Sequence, residues 1–188
     1  RQLNAWQDSG LHFPGRIAVN VSAKQLQDPN ISNRLQSIVS NAGLTPNKFE
    51  LELTESTMMV DPVGAIAIMD DLSKAGFSLA IDDFGTGYSS LSYLKRFSVD
   101  RIKIDISFIR DMLKNKDDYA IVKAIIAMAD SLGLQTTAEG VEQAEKAVVL
   151  TELGCNFVQG YHFGKPQSTE VFAETWLHQR PNNNDAKD

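Results

Sequence analysis

The chain alternates between short runs of apolar, often β-branched residues and longer segments in which apolar residues recur every three or four positions. A short apolar run bounded by turn residues is typical of a buried parallel strand, and the longer spacing is typical of a helix with one buried face. The pattern predicts strands at residues 17–21, 49–53, 77–81, 99–104, 134–138 and 156–158.

The segments between the predicted strands carry helix start and stop signals. Asp61 precedes Pro62, and because proline is favoured at the first helical position, one helix is predicted to start there. A second helix is predicted to start near residues 117–118. The apolar faces of these helices are predicted to be Val63, Ile66, Met69 and Leu72 in the first, and Ile121, Ile125, Ala129 and Leu132 in the second. Helix ends with a left-handed glycine are predicted at Gly43, Gly76, Gly133 and Gly154. Strands that alternate with helices in this way predict βα units and a parallel sheet.

Composition and charge exclude several classes of protein. With 188 residues, 43% of them hydrophobic, the chain is predicted to form one domain over residues 1–180 and a flexible polar tail over residues 181–188. No apolar run approaches the ~18 residues of a membrane span. A formal charge of −6 argues against DNA and anionic lipid, which are held mainly by basic patches. The single cysteine, Cys155, suits a reducing compartment, so a cytoplasmic location is expected even if upstream segments anchor the protein to a membrane.

Each predicted strand ends in, or just before, a polar group that can bind a metal or move a proton. These groups are Asn20, Glu52, Glu55, Asp82, Asp83, Lys103, Asp105, Glu139 and Gln159. Ligand sites of β/α barrels and doubly wound sheets lie at the carboxyl ends of the strands, so these side chains are expected to meet there. The joint pattern predicts one functional site, although any single carboxylate could instead be a helix cap.

The residue types indicate the chemistry of this site. Ligand sets made only of oxygen atoms suit Mg²⁺ or Mn²⁺ rather than zinc. The set here consists of Asn20, Glu52, Asp82, Asp83 and Glu139. So many carboxylates would repel one another unless cations lay between them, and two such cations would suit an in-line phosphoryl displacement. Lys103 would then orient or deprotonate the attacking water, or else be a surface lysine or an ion-pair partner of Asp105.

Six segments of the sequence carry a specific pattern, at residues 18–22, 50–55, 81–90, 102–105, 138–142 and 159–161. The most specific part of it is Asp82, Asp83, Phe84, Gly85, Thr86, Gly87, Tyr88, Ser89 and Ser90. These segments resemble EAL domains, the bacterial phosphodiesterases that hydrolyse cyclic di-GMP, and the resemblance runs in order from the first residue to about Leu177. The resemblance implies a TIM-type β/α barrel that binds two Mg²⁺ or Mn²⁺ ions and opens one phosphodiester of cyclic di-GMP to give linear pGpG.

The resemblance also implies roles for individual residues. The first metal would be held by Asn20, Glu52 and Asp82. The second would be held by Asp82, Asp83 and Glu139. Lys103 and Gln159 would place the hydrolytic water.

A loop and the substrate contacts complete the implied site. Glu55 would anchor the loop at residues 84–90, which in the family couples metal binding to dimerisation. Asp105 would support that loop, Pro166 would border a guanine, and Glu142 closes the matching segment 138–142. The glycines and serines of the loop fit its need for unusual backbone angles.

The sequence departs from the family pattern at two places. His162, Gly164 and Lys165 stand where leucine, serine and arginine are usual, so base or phosphate contacts are not carried over there. The Glu-Ala-Leu signature, whose glutamate is a first-metal ligand in the family, is absent together with the first two strands. The expected fold is therefore an α/β, TIM-type barrel lacking its N-terminal part, with about six of eight strands present, and open, rearranged or swapped between two chains.

Three functions are compatible with the sequence. The first is hydrolysis of cyclic di-GMP, with this chain forming part of a catalytic domain. That domain is expected to act as a homodimer and to follow a sensor or GGDEF domain in the parent protein. The second is a module that binds cyclic di-GMP or a protein without cleavage, because one first-metal ligand is absent. The third is an aldolase-like barrel in which Lys103 forms a Schiff base.

Overall fold

The computed structural model describes residues 1–87 and 91–177, and these residues form one six-stranded sheet with helices packed against it. The strands follow one another across the sheet in chain order, and every neighbouring pair is parallel. Their bounds are β1 (Ile17–Asn20), β2 (Phe49–Thr54), β3 (Ser78–Phe84), β4 (Arg101–Ile104), β5 (Gln135–Ala138) and β6 (Phe157–Val158). The predicted parallel sheet is confirmed. The tail predicted at residues 181–188 lies outside the described residues.

The third strand differs most from its prediction, because it continues through Asp82 and Asp83 to Phe84 instead of ending at Ile81. Its pairing with β4 shifts register between Ile81 and Phe84, so the added length is accommodated by an irregularity of the bulge type. The two aspartates therefore lie within the strand and do not follow it. The fourth strand is shorter than predicted and begins at Arg101.

Ten helices connect or flank the strands within the described residues. Their bounds are α1 (Gln2–Asp8), α2 (Ala23–Leu26), α3 (Ile31–Asn41), α4 (Glu55–Met59), α5 (Pro62–Lys74), α6 (Leu91–Leu94), α7 (Ile106–Asp111), α8 (Lys116–Ser131), α9 (Ala144–Glu152) and α10 (Thr169–Trp176). One short 3₁₀ helix, Pro46–Lys48, precedes β2.

The helix ends follow the predicted signals closely. Asp61 caps α5, and its carboxylate accepts a backbone N–H of the first turn at 3.1 Å. The helix predicted near residues 117–118 starts slightly earlier, with Asn115 as its cap. All four predicted terminal glycines have a left-handed φ. At the end of α8, for example, φ of Gly133 is +71°, and the Leu134 amide bonds to the Ala129 carbonyl at 2.9 Å.

The buried stripes of two helices lie slightly off the predicted faces. Val63 is 65% exposed and Ile121 is 38% exposed, so both predicted core positions are wrong. The predicted positions Met69, Leu72, Ile125 and Ala129 are buried as expected, and the buried sides are completed by Ala65 in α5 and by Val122 and Ile126 in α8. Steps of three residues drift around a helix that has 3.6 residues per turn, so Val63 falls on the side of α5 away from the buried residues, and Ile121 falls at the edge of the buried side of α8.

The two faces of the sheet differ in polarity. In β2, Leu51 and Leu53 belong to the apolar core, whereas Glu50 and Glu52 alternate with them and are also buried. The core on the helix side includes Met69, Leu72, Ile102, Ile104, Val122 and Leu150. Because side chains alternate along a strand, the other face, which we call the inner face, carries the charged residues.

The sheet of the described residues ends at β1 on one side and β6 on the other. Eight strands are needed to close a β/α barrel. The fold is therefore a partial, open TIM-type β/α barrel, in agreement with the prediction. Within residues 1–87 and 91–177, every helix is too short or too polar to cross a membrane.

Candidate metal centre at the carboxyl ends of the strands

The parallel register brings the polar strand ends to one edge of the sheet. Asn20 of β1 lies opposite Glu52 of β2, and Asp82 of β3 lies opposite the last residue of β2. Glu139 follows β5, and its amide bonds to the last carbonyl of β4 at 3.2 Å. Gln159 follows β6, and its amide bonds to the last carbonyl of β5 at 2.8 Å. The sheet itself thus brings these polar strand ends to its carboxyl edge.

Lys103 lies at the centre of the charged groups. Its Nζ is 2.9 Å from Glu52 Oε1, 2.9 Å from Asp82 Oδ1 and 2.9 Å from Glu139 Oε1. The residue is only 5% exposed. Lys103 is therefore not a surface lysine, and its ion-pair partners come from β2, β3 and the end of β5 rather than from Asp105.

The surroundings of Lys103 favour its charged form. Burial opposes the charge, but hydrogen bonds to Glu139, Asp82 and Glu52 outweigh that effect and raise the pKa of Lys103 above its ordinary value. A lysine that forms a Schiff base needs a lowered pKa. The aldolase-like alternative is therefore disfavoured, and in this arrangement the ammonium is placed to donate hydrogen bonds to the groups around it.

Asp83 combines backbone strain with an unfavourable charge environment. Its φ is +54°, the one positive φ of a non-glycine residue in residues 1–87 and 91–177. The left-handed conformation costs most residues about 1–2 kcal/mol, although aspartate tolerates it better than most. Burial and the charges of Asp82 and Asp105 raise the pKa of Asp83, against the opposing effect of Lys103. Strain and a perturbed carboxyl in one residue are common at functional sites.

Three carboxyl groups form a compact set that we call the acidic cluster. One oxygen each of Asp82, Asp83 and Glu139 lies within 4.8 Å of the others. Burial raises the pKa of Glu139, the charges of Asp82 and Glu52 add to the effect, and Lys103 opposes it. The cluster therefore carries more negative charge than its surroundings favour, and its oxygen donors fit a hard divalent cation such as Mg²⁺ or Mn²⁺. Its members are the residues that the family resemblance assigns to the second ion.

Glu55 holds the beginning of the loop that follows β3. It is 2% exposed at the first position of α4, and its Oε2 accepts the amide N–H groups of Gly85 at 3.0 Å and Gly87 at 3.2 Å. The Thr86 hydroxyl donates to the Asp83 carbonyl at 2.8 Å. The loop start is thus tied to the first residue of α4 and to β3. The other predicted loop residues, which lie outside the described residues, are Tyr88, Ser89 and Ser90.

The remaining predicted residues lie further from this centre. Asp105 caps α7 by accepting the Ser107 amide at 2.9 Å, and its charge reaches Asp83. Glu142 and Pro166 lie on exposed segments after β5 and β6. The structure therefore brings together the acidic cluster, Glu52, Lys103 and Glu55, with Asn20 and Gln159 exposed at its margin.

Two residues beside the site were not among the predicted candidates. Thr137, opposite Lys103 and two residues before Glu139, is 5% exposed, and its hydroxyl has no hydrogen-bond partner among the described residues. Gly160 follows Gln159 and makes a close backbone contact with the neighbouring loop. The alternation of β5 indicates that Thr137 shares the face of Glu139, but no sequence signal marks the contact at Gly160.

Comparison with known proteins gives a consistent result. The profile of the EAL domain family matches residues 1–166. The chain is 43% identical over 170 residues to the bifunctional diguanylate cyclase/cyclic di-GMP phosphodiesterase MucR of Pseudomonas aeruginosa. The aligned region covers 90% of this chain and 25% of MucR. The chain is also 41% identical over 176 residues to the cyclic di-GMP phosphodiesterase PdeR of Escherichia coli, covering 94% of this chain and 26% of PdeR. The chain thus spans about a quarter of the length of these relatives.

Solved structures match this chain in fold and are also similar to it in sequence. The MucR phosphodiesterase in complex with cyclic di-GMP matches with a TM-score of 0.85 and 42% identity, over 91% of this chain and 69% of that one. BlrP1 of Klebsiella pneumoniae, solved with manganese and cyclic di-GMP, matches with a TM-score of 0.74 and 34% identity, over 80% of this chain and 39% of that one. Since the family profile spans most of the sequence and the strand order and strand-end residues agree with the resemblance, the chain belongs to the EAL domain family.

Proposed function

We propose that this site hydrolyses cyclic di-GMP to linear pGpG with the help of two divalent cations. The observation that carries the proposal is the acidic cluster, three carboxyl groups within 4.8 Å at the carboxyl ends of β3 and β5. The buried ammonium of Lys103 beside them adds a hydrogen-bond donor at the same place. The names of MucR and PdeR and the cyclic di-GMP complex of MucR support this choice of substrate.

Mg²⁺ or Mn²⁺ are the proposed ions. The acidic cluster would hold the second ion, and the manganese complex of BlrP1 supports the use of such a metal. The first would be held by Asn20, Glu52 and Asp82. When bound, these ions act as Lewis acids on phosphoryl oxygens and lower the pKa of a coordinated water.

The protein's own side chains have separate tasks around the substrate. Lys103 and Gln159 would orient the attacking water, since each can donate hydrogen bonds at the carboxyl ends of the strands. Glu55 keeps the start of the loop after β3 in place through two backbone amides. The acidic cluster repels an anionic nucleotide until its charge is compensated, so cation binding is expected to precede substrate binding.

The open edge of the sheet bears on the same proposal. β1 is an edge strand, and Asn20 at its end is exposed, so the place of the first ion is open on one side. We propose that two further strands between β1 and β6 complete the active domain, of which residues 1–180 form the remainder. The active unit is proposed to be a homodimer within a longer protein that carries a sensor or GGDEF domain.

Calorimetry with Mn²⁺ and an assay for pGpG test this function. The domain completed by two strands should form pGpG with Mg²⁺ or Mn²⁺, and Ca²⁺ should inhibit it because that ion prefers more ligands and a looser geometry. Glu139→Gln should abolish turnover and one Mn²⁺ site. Glu152→Gln, at an exposed carboxylate that ends α9, is the matched control and should change neither. A completed domain that binds Mn²⁺ but forms no pGpG would contradict the proposal.

A binding module without turnover is the second candidate. The exposure of Asn20 on the edge strand favours it, because a weak first-ion site would slow catalysis more than nucleotide binding. Calorimetry with cyclic di-GMP on the chain and on the completed domain, alongside the pGpG assay, separates the two. Tight binding with no product in either form would favour the module.

A further inference from the structure

The pairing of β5 with β6 continues beyond both strands into the loops that carry two site residues. Gln159 donates its amide N–H to the Ala138 carbonyl at 2.8 Å, and Val141 donates to the Gln159 carbonyl at 2.9 Å. His162 then donates to the Val141 carbonyl at 3.1 Å. Backbone bonds in both directions therefore join residues 138–141, which include Glu139, to residues 159–162.

The two loops approach so closely that one position must be glycine. A Cβ atom at Gly160 would lie 2.2 Å from the Val141 carbonyl oxygen and 2.3 Å from the Val141 nitrogen. The conformation at Gly160 is not left-handed, so the requirement for glycine comes from space and not from backbone angles. The opposing atoms belong to the backbone of a fully buried residue and cannot turn aside as a side chain can.

The loop after β5 is also held from its other side. The Glu139 amide bonds to the Ile104 carbonyl at 3.2 Å, which fixes it to β4. Gly140 packs against Ile106 of α7, where an added Cβ would lie 2.2 Å from Cγ1. Residues 138–141 are therefore confined between β4 with α7 and the loop after β6, and a shift of either neighbour moves Glu139.

We infer that Gly160 is a positioning residue that sets the distance between Gln159 and Glu139. The inference rests on the proposed function, in which Glu139 is a metal ligand and Gln159 orients the water. A side chain at residue 160 must push the two loops apart, because the contact is between backbones. Gly160 then acts on catalysis through its two neighbours, without touching substrate itself.

The test compares Gly160→Ala with Gly164→Ala. Gly164 lies in the same segment, and a Cβ there would meet only Trp176 Cζ2 at 3.8 Å, an ordinary contact. Calorimetry on the folded chains should show Mn²⁺ affinity lowered by roughly 10- to 100-fold in Gly160→Ala, the range found when groups that orient metal ligands are removed. Gly164→Ala should retain the original affinity.

A kinetic measurement on the completed domain separates positioning from a general structural effect. Gly160→Ala should lower kcat at saturating Mn²⁺ while KM for cyclic di-GMP stays within about twofold, since the water and not the nucleotide is misplaced. At saturating Mn²⁺ the loss of metal affinity through Glu139 is compensated, so in a Gln159→Ala background the same substitution should change kcat little, because residues that act through one another are not additive.

A second variant keeps the test informative if Gly160→Ala does not fold. The bond between Gly154 and Cys155, just upstream, can be made by native chemical ligation, which needs a cysteine at the start of the second piece. Residues 155–188 can therefore be supplied as a synthetic peptide and joined to residues 1–154. An ester in place of the amide of residue 162 removes the N–H that bonds to Val141 and leaves every side chain unchanged. Mn²⁺ affinity should fall below that of the original chain, by less than the roughly 10- to 100-fold range given above, because one of three backbone bonds between the loops is lost and two remain.

The outcomes distinguish the inference from the function on which it rests. Unchanged Mn²⁺ affinity in each altered chain that folds, with tight binding by the original chain, would overturn the positioning role and leave the proposed function standing. If the original chain and the completed domain bind no Mn²⁺ and form no pGpG, the proposed function fails and the inference fails with it.

Discussion

Lys103 and a divalent cation would bind to the same small group of carboxylate oxygen atoms. Its ammonium contacts Glu52, Asp82 and Glu139, which the proposed function assigns to metal binding. A buried cation of this kind holds the carboxylates together before any ion arrives, because their mutual repulsion is otherwise uncompensated. Lys103 is therefore expected to maintain the shape of the site as well as to orient a water.

Lys103→Met removes this internal cation and retains most of the side-chain volume. We expect the free energy of unfolding of the metal-free chain to fall by about 3–5 kcal/mol, as when one partner of a buried ion pair is lost. Mn²⁺ should restore more stability to the variant than to the original chain, since its carboxylates have no other cation. Urea unfolding with and without Mn²⁺ measures both effects. Lys123→Met, at an exposed position of α8, is the control, and equal losses in the two variants would contradict the prediction.

Asp83→Asn tests whether the carboxylate of Asp83 lowers the stability of the metal-free chain while it serves metal binding. Asparagine tolerates the left-handed φ of +54°, so the backbone conformation is retained while the repulsion from Asp82 and Asp105 is removed. Because Asp83 is exposed, solvent screens this repulsion, so the metal-free chain should gain only a small amount of unfolding free energy, about 0.2–0.5 kcal/mol. Mn²⁺ affinity should fall by roughly tenfold or more. Thermal unfolding and calorimetry provide the two measurements. Asp130→Asn, at an exposed position of α8, should alter neither, and a less stable Asp83→Asn would be the contrary result.

At the scale of the elements, several helices end in the same way, at a glycine with a left-handed φ that lies between the helix and the next strand. The glycine after α8 has the left-handed φ expected of its position, and the amide after it returns to a carbonyl of the last turn. This local geometry explains why helix ends were predicted well from sequence. The predicted faces of α5 and α8 were less accurate, because the side that meets the sheet is decided by packing between distant segments and not by spacing within a helix.

Gly133→Ala isolates the conformational part of such an ending. A Cβ at Gly133 meets nothing within 4 Å, so the expected cost arises from φ of +71° alone. The free energy of unfolding should fall by about 1–2 kcal/mol, the cost of the left-handed conformation for a residue with a side chain. Urea denaturation measures the change. Gly164→Ala, whose φ is outside the left-handed region, should cost far less, and similar losses in both would show that φ is not the cause.

At the scale of the whole molecule, the sequence predicted that polar groups meet at the carboxyl ends of the strands, but it did not predict their contacts. The strand ends indicated one site, since parallel strands share a direction, and the acidic cluster is found there. The placement of Asp83 within a bulged strand and the contact at Gly160 depend on backbones from different parts of the chain. No local sequence pattern predicts these close backbone contacts, because they form only when distant segments pair in the sheet.

The open sheet makes a last prediction about association. β1 is an edge strand of the described sheet, and Val19 within it is 39% exposed, so unpaired backbone groups and an apolar side chain are available to another strand. The chain is expected to self-associate as its concentration rises, which sedimentation velocity can follow. Val19→Lys should keep it monomeric, because a charged side chain on an edge strand disfavours strand addition. Ile38→Lys, at an apolar residue of α3 that is 57% exposed, removes similar hydrophobicity away from the edge and should not prevent association. If both variants abolish association equally, general hydrophobicity and not the β1 edge drives it.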